Sequence, residues 1–128
     1  MTTQGPEAVV DAFIAAIERI DIDAAAALLH HDVSYENMPM QPVVGAETVK
    51  AVLASFLNQA SEVDWPVSRQ LVAGNCVMNE RVDRFRIGDG WLELPVVGVF
   101  EVDDDGLITL WRDYFDLGQY QTQLAELG

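Results

Sequence analysis

The chain has 128 residues, a length typical of one domain, and half of them are hydrophobic, so a core can form without disulfides or a structural metal. It carries 21 acidic and 7 basic residues, and the resulting net charge of −14 disfavours binding to nucleic acids or anionic membranes. A single cysteine, Cys76, excludes an internal disulfide and a cysteine-built zinc site. Neither a secretory signal nor a membrane-spanning run is recognised, so we expect one soluble, cytoplasmic domain over residues 1–128.

Helical periodicity occupies the first 60 residues and returns at the end of the chain. Pro6 suits the first turn of a helix, and Asp21 is placed to cap a second, Ala-rich helix with its side chain. His30 and His31 come near the end of that second helix, where a positive charge interacts favourably with the helix dipole. Apolar spacing predicts helices over 6–20, 22–29 and 46–60, and a short final helix over 119–127.

From residue 64 onward the apolar period changes to two, which is typical of strands. Long strands are predicted over 65–73, 76–87, 91–102 and 107–116, separated by turn-forming sequences rich in Gly, Asn and Asp, and a shorter strand is expected over 33–37. Helices followed by a meander of strands indicate an α+β fold with the helices on one side of an antiparallel sheet. A strongly bent sheet around a pocket fits this order.

Several polar side chains fall on strand faces that otherwise carry large apolar residues. Arg81 and Asp83 share a face of the strand 76–87, and Tyr35 and Asn37 share a face of the early strand. An isolated buried carboxylate is costly and must be paired or protonated. On the last strand, alternation places these residues on one face: Leu107, Thr109, Trp111, Asp113 and Phe115.

These polar residues have the composition of an acid–base pair. One arginine between Asp83 and Asp113 could hold both through the planar fork of the Arg81 guanidinium. Because two carboxylates and one cation carry net negative charge, one carboxyl should keep its proton near neutral pH. A neutral and an ionised carboxyl are a general acid and a general base. The apolar residues expected to line the same pocket are Val77, Phe85, Trp111, Phe115, Met38 and Met40.

Three segments resemble the active-site segments of limonene-1,2-epoxide hydrolases: Tyr-Glu-Asn at 35–37, Asn-Glu-Arg-Val-Asp at 79–83 and Trp-Arg-Asp-Tyr-Phe-Asp at 111–116. The resemblance covers essentially the whole chain, since the order of helices and strands also matches. It implies a curved, mixed and mainly antiparallel sheet with three to four helices over its concave side. This cone-shaped fold is shared with ketosteroid isomerases and nuclear transport factor 2. It also implies a homodimer that needs no cofactor and no metal.

The resemblance implies a role for each of five residues. Asp113 would accept a proton from a water molecule that Tyr35 and Asn37 hold by hydrogen bonds. Asp83 would protonate the epoxide oxygen as the ring opens, and Arg81 would bridge the two carboxyls. Attack and protonation would be concerted and would give a trans diol without a covalent ester, and the apolar pocket suggests an apolar or alicyclic epoxide as the substrate.

Other readings of the same residues stay open. The arginine and its two acids are also what a purely structural ion-pair network contains. An isomerase, cyclase or dehydratase of the same fold, or a non-catalytic ligand-binding dimer module, are the alternative functions. An arginine between two acids, together with two residues that could hold water, favours hydrolysis.

Several other features are interpreted as structural. His30 and His31 fit a helix terminus better than a metal site, since no third ligand follows at a useful spacing. The acidic turn 103–106 lacks the distant Glu of a calcium loop. Trp65 and Trp91 are expected to be packing residues. The alternating Leu92, Leu94 and Val96 could line either the cavity or a dimer interface.

Overall fold

The computed structural model describes residues 5–127, in which four helices and seven strands are found. Residues 1–4, for which no secretory signal is predicted, and Gly128 lie outside this range. The helices are α1 (Pro6–Glu18), α2 (Ile22–Ala26), α3 (Ala46–Leu57) and α4 (Leu117–Leu127). The strands are β1 (Leu29–Asn37), β2 (Val43–Val44), β3 (Glu62–Asp64), β4 (Val67–Ala73), β5 (Cys76–Ile87), β6 (Gly90–Val102) and β7 (Ile108–Tyr114).

The strands form one mixed sheet in the order β2-β1-β7-β6-β5-β3, and β4 also pairs with β5. The β1–β7 pair is parallel and the other pairs are antiparallel. β5 and β6 pair along their full length, from Cys76 opposite Glu101 to Ile87 opposite Gly90. The predicted α+β class and the mainly antiparallel sheet are therefore confirmed. None of the helices within residues 5–127 is long and apolar enough to cross a bilayer.

The core lies where the helices meet the sheet. Phe13 of α1 is fully buried and packs edge-on against Phe100, with ring centroids 6.2 Å apart, and against Trp111, at 5.0 Å. Leu53 of α3 is buried in the same hydrophobic cluster. Burying one such side chain contributes about 1.5–3 kcal/mol. This packing fixes the helices over the sheet face that carries the buried polar residues.

α4 covers a sheet edge that β7 leaves unpaired. Pairing between β6 and β7 ends where Val97 lies opposite Tyr114, so that the β6 backbone before this point lacks a strand partner on that side. The Gln123 side chain takes the place of a strand there, accepting from the Glu93 backbone N–H and donating to its carbonyl, both at 2.8 Å. These two bonds hold α4, and with it Tyr120, against β6.

Three predicted helix starts agree with the structure, whereas α4 begins at Leu117, two residues before the predicted start. The ends of α1, α2 and α3 lie two or three residues before the predicted ends. Pro6 begins α1, and the Asp21 carboxylate accepts from the Ala24 N–H at 3.1 Å, as an N-cap does. α2 ends at Ala26 rather than near residue 29, and His30 and His31 belong to β1 instead of a helix terminus. The reason is tertiary, because the backbone there pairs with β7 at Ile108.

Two strand predictions also need correction. The strand predicted over 65–73 begins only at Val67. Pro66 has no N–H to donate, and the N–H of Trp65 is bonded to the Glu18 carboxylate of α1 at 2.9 Å. In β7 the register shifts between Ile108 and Leu110, so Ile108 is fully buried and Thr109 is not. Leu107 and Thr109 therefore do not share the inner face with Trp111. The short strands β2 and β3 are not among the predicted ones.

Candidate active site

The register of the sheet aligns one residue from each of four strands. Asn79 of β5 lies opposite Gly98 of β6, Gly98 opposite Asp113 of β7, and Asp113 beside Asn37 of β1. Residues aligned in this way on neighbouring strands face the same side of the sheet. This row places Asn79 and Asp113 within reach of the guanidinium of Arg81, and Asn37 beside Asp113.

Arg81 links these side chains by four hydrogen bonds. Its Nε donates to Asp83 Oδ1 at 2.7 Å, and its Nη2 donates to Asp83 Oδ2 at 3.2 Å and to Asp113 Oδ2 at 2.9 Å. Its Nη1 donates to Asn79 Oδ1 at 2.9 Å. The Arg81 side chain has no exposed surface, and those of Asp83 and Asp113 are 7% and 5% exposed. The predicted contact of one guanidinium with two buried acids is present.

Gly98 makes the bridge from β5 to β7 possible. A Cβ atom at this position would overlap Arg81 Nη1 and would lie 3.0 Å from Asn79 Oδ1 and 3.1 Å from Asp113 Oδ1. The guanidinium thus occupies the space above β6 that a side chain would fill. A glycine within a strand often marks such a close approach.

Aromatic rings hold the polar groups from the sides. The guanidinium carbon of Arg81 lies 4.9 Å from the ring centroid of Trp65 and 5.9 Å from that of Phe100, which are cation–π contacts. Trp111 donates its indole N–H to Asp113 Oδ1 at 3.0 Å and stacks on Tyr35 with centroids 3.9 Å apart. Both oxygens of Asp113 therefore have a fixed donor.

Burial sets the protonation states of this cluster. It raises the pKa of Asp83 to about 7; the charge of Asp113 adds to the shift and Arg81 opposes it. Burial also raises the pKa of Asp113, where Arg81 and the Trp111 N–H favour the ionised form. Burial and the charge of Asp113 raise the pKa of Tyr35 well above its usual value, so its hydroxyl stays protonated. Although burial opposes its charge, the two carboxylates raise the pKa of Arg81. Because the pKa values of both carboxyls are raised, the two acids share a proton as a coupled pair near neutral pH.

The two acids face a cavity of about 80 Å³ that is open to solvent. Its polar end is formed by Tyr35, Asn37, Asp83 and Asp113, and the remaining wall is apolar or aromatic. The residues that line this wall are Met40, Phe56, Trp65, Phe85, Leu94, Val96, Phe115 and Tyr120.

Of the six predicted pocket residues, Phe85, Phe115 and Met40 line the cavity and the other three do not. Val77 is fully buried in the core, Trp111 lies behind Tyr35, and Met38 is about half exposed at the surface.

Several residues that line the cavity are not predicted to do so by the sequence, or only as one of two alternatives. Leu94 and Val96 line the cavity, as one of the two alternatives for this strand predicts. Leu92 does not line it and is buried with them against α4. The sequence pattern predicts only a packing role for Trp65 and does not single out Phe56 or Tyr120. Their positions depend on how helices and strands meet, for which the local pattern gives no signal. Gly98 could have been found from the sequence, since a glycine within an apolar strand indicates that another group approaches the backbone closely.

One group of possible metal ligands occurs in the part of the chain from residue 5 to 127. It consists of His30, His31 and Asp32 on β1, none of which lines the cavity. The His30 ring nitrogen Nδ1 already accepts from the Asp32 backbone N–H at 3.0 Å. Arg81, buried behind the two carboxyls, supplies the positive charge that they contact.

Comparison with known proteins agrees with this geometry. The profile of the limonene-1,2-epoxide hydrolase catalytic domain matches residues 4–125. The epoxide hydrolase EphG of Mycobacterium tuberculosis is 37% identical over 108 residues, which are 84% of this chain and 71% of that protein. A solved M. tuberculosis structure of an epoxide hydrolase of this type superposes with a TM-score of 0.81 at 34% identity, covering 93% of this chain and 88% of the other.

More distant structures share the fold alone. A protein with a ketosteroid-isomerase-like fold from Catenulispora acidiphila, solved with trimethylamine, gives a TM-score of 0.79 at 22% identity over 94% of this chain and 93% of its own. A SnoaL-like polyketide cyclase candidate from Shewanella denitrificans gives 0.81 at 16% identity over 94% and 97%. The family match extends over nearly the whole chain, and this chain therefore belongs to the limonene-1,2-epoxide hydrolase family.

Proposed function

We propose that this epoxide hydrolase adds water to an apolar or alicyclic epoxide in one concerted step and releases a vicinal trans diol. One observation carries the proposal: a single buried guanidinium holds two aspartate carboxyls at the polar end of an apolar cavity. The cavity offers a general acid, a general base and polar groups for water together, and none of these steps requires a metal or an organic cofactor.

Asp113 is the proposed base for the attacking water. Each of its oxygens has one donor, from Trp111 or Arg81, and retains a lone pair for a water proton. Asn37 is its neighbour in the parallel β1–β7 pair, and Tyr35 lies two residues earlier on the same face. A water molecule between these three side chains would be held by the Asn37 amide and the Tyr35 hydroxyl and would donate to Asp113. Fixing its orientation removes entropy from the barrier.

Asp83 is the proposed acid. A pKa of about 7 leaves a substantial protonated fraction at neutral pH, which suits a group that must donate a proton. Asp83 Oδ2 makes the longer contact with Arg81, 3.2 Å against 2.7 Å for Oδ1, so Oδ2 is the better site for the proton. The proton passes to the epoxide oxygen as its bond to carbon breaks and the water oxygen bonds to that carbon.

The proton balance closes within the cluster. After the reaction Asp83 is ionised and Asp113 holds the proton taken from water, so that the two acids still share one proton. Nη2 of Arg81 contacts Oδ2 of both acids, so the two carboxyls are neighbours, and the proton returns from Asp113 to Asp83 through water once the diol has left. Because the total charge of the buried group does not change, no step leaves an uncompensated charge in an apolar environment.

The lining of the cavity supports an apolar substrate. Five of its residues are aromatic side chains in addition to Tyr35, and Leu94, Val96 and Met40 complete the apolar wall. Such a wall gains free energy by excluding water from a hydrocarbon ring but offers it few polar partners.

An isomerase, a cyclase or a ligand-binding module could share this fold, and each would require different groups in the cavity. An isomerase or cyclase needs a base beside the reacting carbon and a donor for the developing oxyanion. The base proposed here instead lies beside two side chains that can hold water, which favours hydrolysis. A ligand-binding module would use the cavity but has no need for an acid and a base in contact with one arginine.

A homodimer is part of the proposal. The outer face of the sheet carries a group of exposed apolar side chains, since Leu71 pairs with Met78, Met78 with Val99, and Val97 with Tyr114 across neighbouring strands. Glu80, opposite Val97, and Arg112, opposite Val99, add charged side chains to the same face. Leu71 is 74% exposed, and Met78, Val97 and Tyr114 are exposed as well. Exposed apolar groups bordered by polar residues mark protein interfaces. A second copy of the chain is the partner we expect on this face.

Substitution of each acid tests the mechanism. We expect Asp83→Asn and Asp113→Asn each to lower kcat for a cyclohexene-type epoxide by about 100-fold or more, because each loses one proton transfer. Asp89→Asn, in an exposed turn, is the matched control and should retain full activity. Thermal unfolding of all three variants separates loss of chemistry from loss of fold. Full activity of either acid variant contradicts the mechanism.

A single turnover in water labelled with oxygen-18 tests the absence of a covalent ester. Direct attack by water puts one labelled oxygen into the diol. If enzyme first labelled by turnover in oxygen-18 water gave labelled diol in ordinary water, a carboxylate would be the nucleophile and the concerted step would be wrong.

A further inference from the structure

A chain of hydrogen bonds runs from the buried guanidinium to the protein surface. Arg81 Nη1 donates to Asn79 Oδ1 at 2.9 Å, Asn79 Nδ2 donates to Gln70 Oε1 at 3.1 Å, and Gln70 Nε2 donates to Asp11 Oδ1 at 3.0 Å. The chain connects β5, β4 and α1 and ends on an exposed carboxylate. None of the roles proposed for the five site residues accounts for it.

All donors in this chain point the same way. The Asp11 carboxylate only accepts, so Gln70 must present its amide nitrogen to it and its carbonyl to Asn79. Asn79 must then present its own carbonyl to the guanidinium. Hydrogen bonds in series polarise one another, so the ionised end strengthens the acceptor that Arg81 meets. The surface carboxylate thereby fixes the orientation of a buried amide.

Asn79 holds a corner of the guanidinium that the acids do not reach. Asp83 contacts Nε and Nη2, and Asp113 contacts Nη2, whereas Nη1 has Asn79 as its acceptor. Three points define the guanidinium plane, and without Asn79 only the edge facing the acids is fixed. Asn79 is 2% exposed and neutral, so that it adds an anchor without adding charge to the proton-sharing pair.

We infer that Asn79 is a positioning residue for the epoxide-opening step, oriented by Gln70 and Asp11, and that it fixes the guanidinium plane on which both acids depend. The inference rests on the proposed function. It extends the site from five residues on three strands to a network that includes α1 and β4.

Loss of the anchor has a specific consequence for titration. Arg81 opposes the rise in pKa that burial imposes on both acids, and a guanidinium that tilts away opposes it less. The ionisable groups that face the pair are Arg81 on β5 and Tyr35 on β1, and neither changes its protonation state near neutral pH. Without the anchor, both limbs of the pH profile should therefore move to higher pH.

The test compares Asn79→Leu, which removes the acceptor at similar volume, with Gln70→Leu, which leaves Asn79 in place but frees its amide to turn. We expect Asn79→Leu to lower kcat by about tenfold or more with KM within about twofold of wild type, because the bound substrate is retained but the acids are misplaced. Gln70→Leu should shift kcat in the same direction by less. Gln59→Leu, an exposed change of the same type on another element, is the control.

A second readout needs no substrate. Carbon-13 carboxyl chemical shifts follow the titration of Asp83 and Asp113 directly, and in Asn79→Leu their midpoints should lie about half a pH unit or more above those of wild type. If both leucine variants have the titration midpoints and the kcat of the wild-type protein, the inference is wrong. If Asn79→Leu does not fold, the same comparison is made with Gln70→Leu alone. Shifted midpoints in a protein that hydrolyses no epoxide would support the positioning role and contradict the proposed function.

Discussion

Replacing Gly98 by alanine is the sharpest perturbation that the site offers. The change adds one methyl group, on a strand whose backbone conformation alanine tolerates, since Gly98 does not have a positive φ. The new carbon would overlap Arg81 Nη1 and would also press on Asn79 and Asp113. Any loss of activity or stability in Gly98→Ala therefore results from the steric overlap of the new methyl group with Arg81 and not from backbone strain.

The expected size follows from that geometry. Arg81 is buried between aromatic rings, so the guanidinium can escape the methyl group only by a displacement on the order of 1 Å, which breaks its contact with Asn79 or with Asp113. Misplacement of this size costs about 100-fold in rate. Overpacking of a buried site costs typically about 1–3 kcal/mol of stability. We expect both effects together in Gly98→Ala.

Steady-state hydrolysis and denaturant unfolding measure the two effects. Gly5→Ala, where a Cβ atom meets nothing within 4 Å, is the matched control and should behave as wild type in kcat. A Gly98→Ala protein with wild-type kcat and wild-type free energy of unfolding would refute the view that the guanidinium must lie over β6.

Two further predictions concern pH and assembly. The pKa of Asp83 is about 7 in the folded state and about 3.9 in the unfolded chain, so the folded state binds more protons between these pH values. The free energy of unfolding should therefore fall as the pH rises from about 4 to 7, by at most about 1.4 kcal/mol per pH unit. Asp83→Asn should show a flatter dependence in denaturant titrations, and parallel curves would contradict the shift. For assembly, we expect sedimentation to show a dimer of the wild-type protein and a monomer of Val97→Arg. The control Val44→Arg, an exposed change on β2, should remain a dimer. If Val97→Arg is also a dimer, the outer face of the sheet is not the interface.

The sequence predicted β5 to the residue because two local signals coincide there. Turn-forming residues bound the strand on both sides, and the apolar alternation runs through it without a shift. The same alternation correctly placed Arg81 and Asp83 on the inner face, and it placed Trp111 and Asp113 together in β7. Where alternation is uninterrupted, the side of the sheet follows from counting residues.

The predictions that failed depend on partners distant in the sequence. β1 begins at Leu29 because β7 pairs with it there, which overrides the helical preference of the preceding alanines. The shift at Thr109 arises from pairing with β6, and no local pattern marks it. Trp65 reaches the guanidinium because Glu18 of α1 holds its backbone. Single-strand periodicity contains none of this information.

The parallel pairing of β1 with β7 makes the appearance of activity a late event. The ion pair between Glu36 and Arg112, at 2.9 Å, joins residues 76 positions apart. Across the same β1–β7 pair, the proposed water-holding residue Asn37 lies beside the proposed base Asp113. Closing so long a loop costs more entropy than closing the β5–β6 hairpin, which contains Arg81 and Asp83. During synthesis the hairpin with the proposed proton donor can therefore fold early, whereas the proposed base joins the site only once β7 has been synthesised.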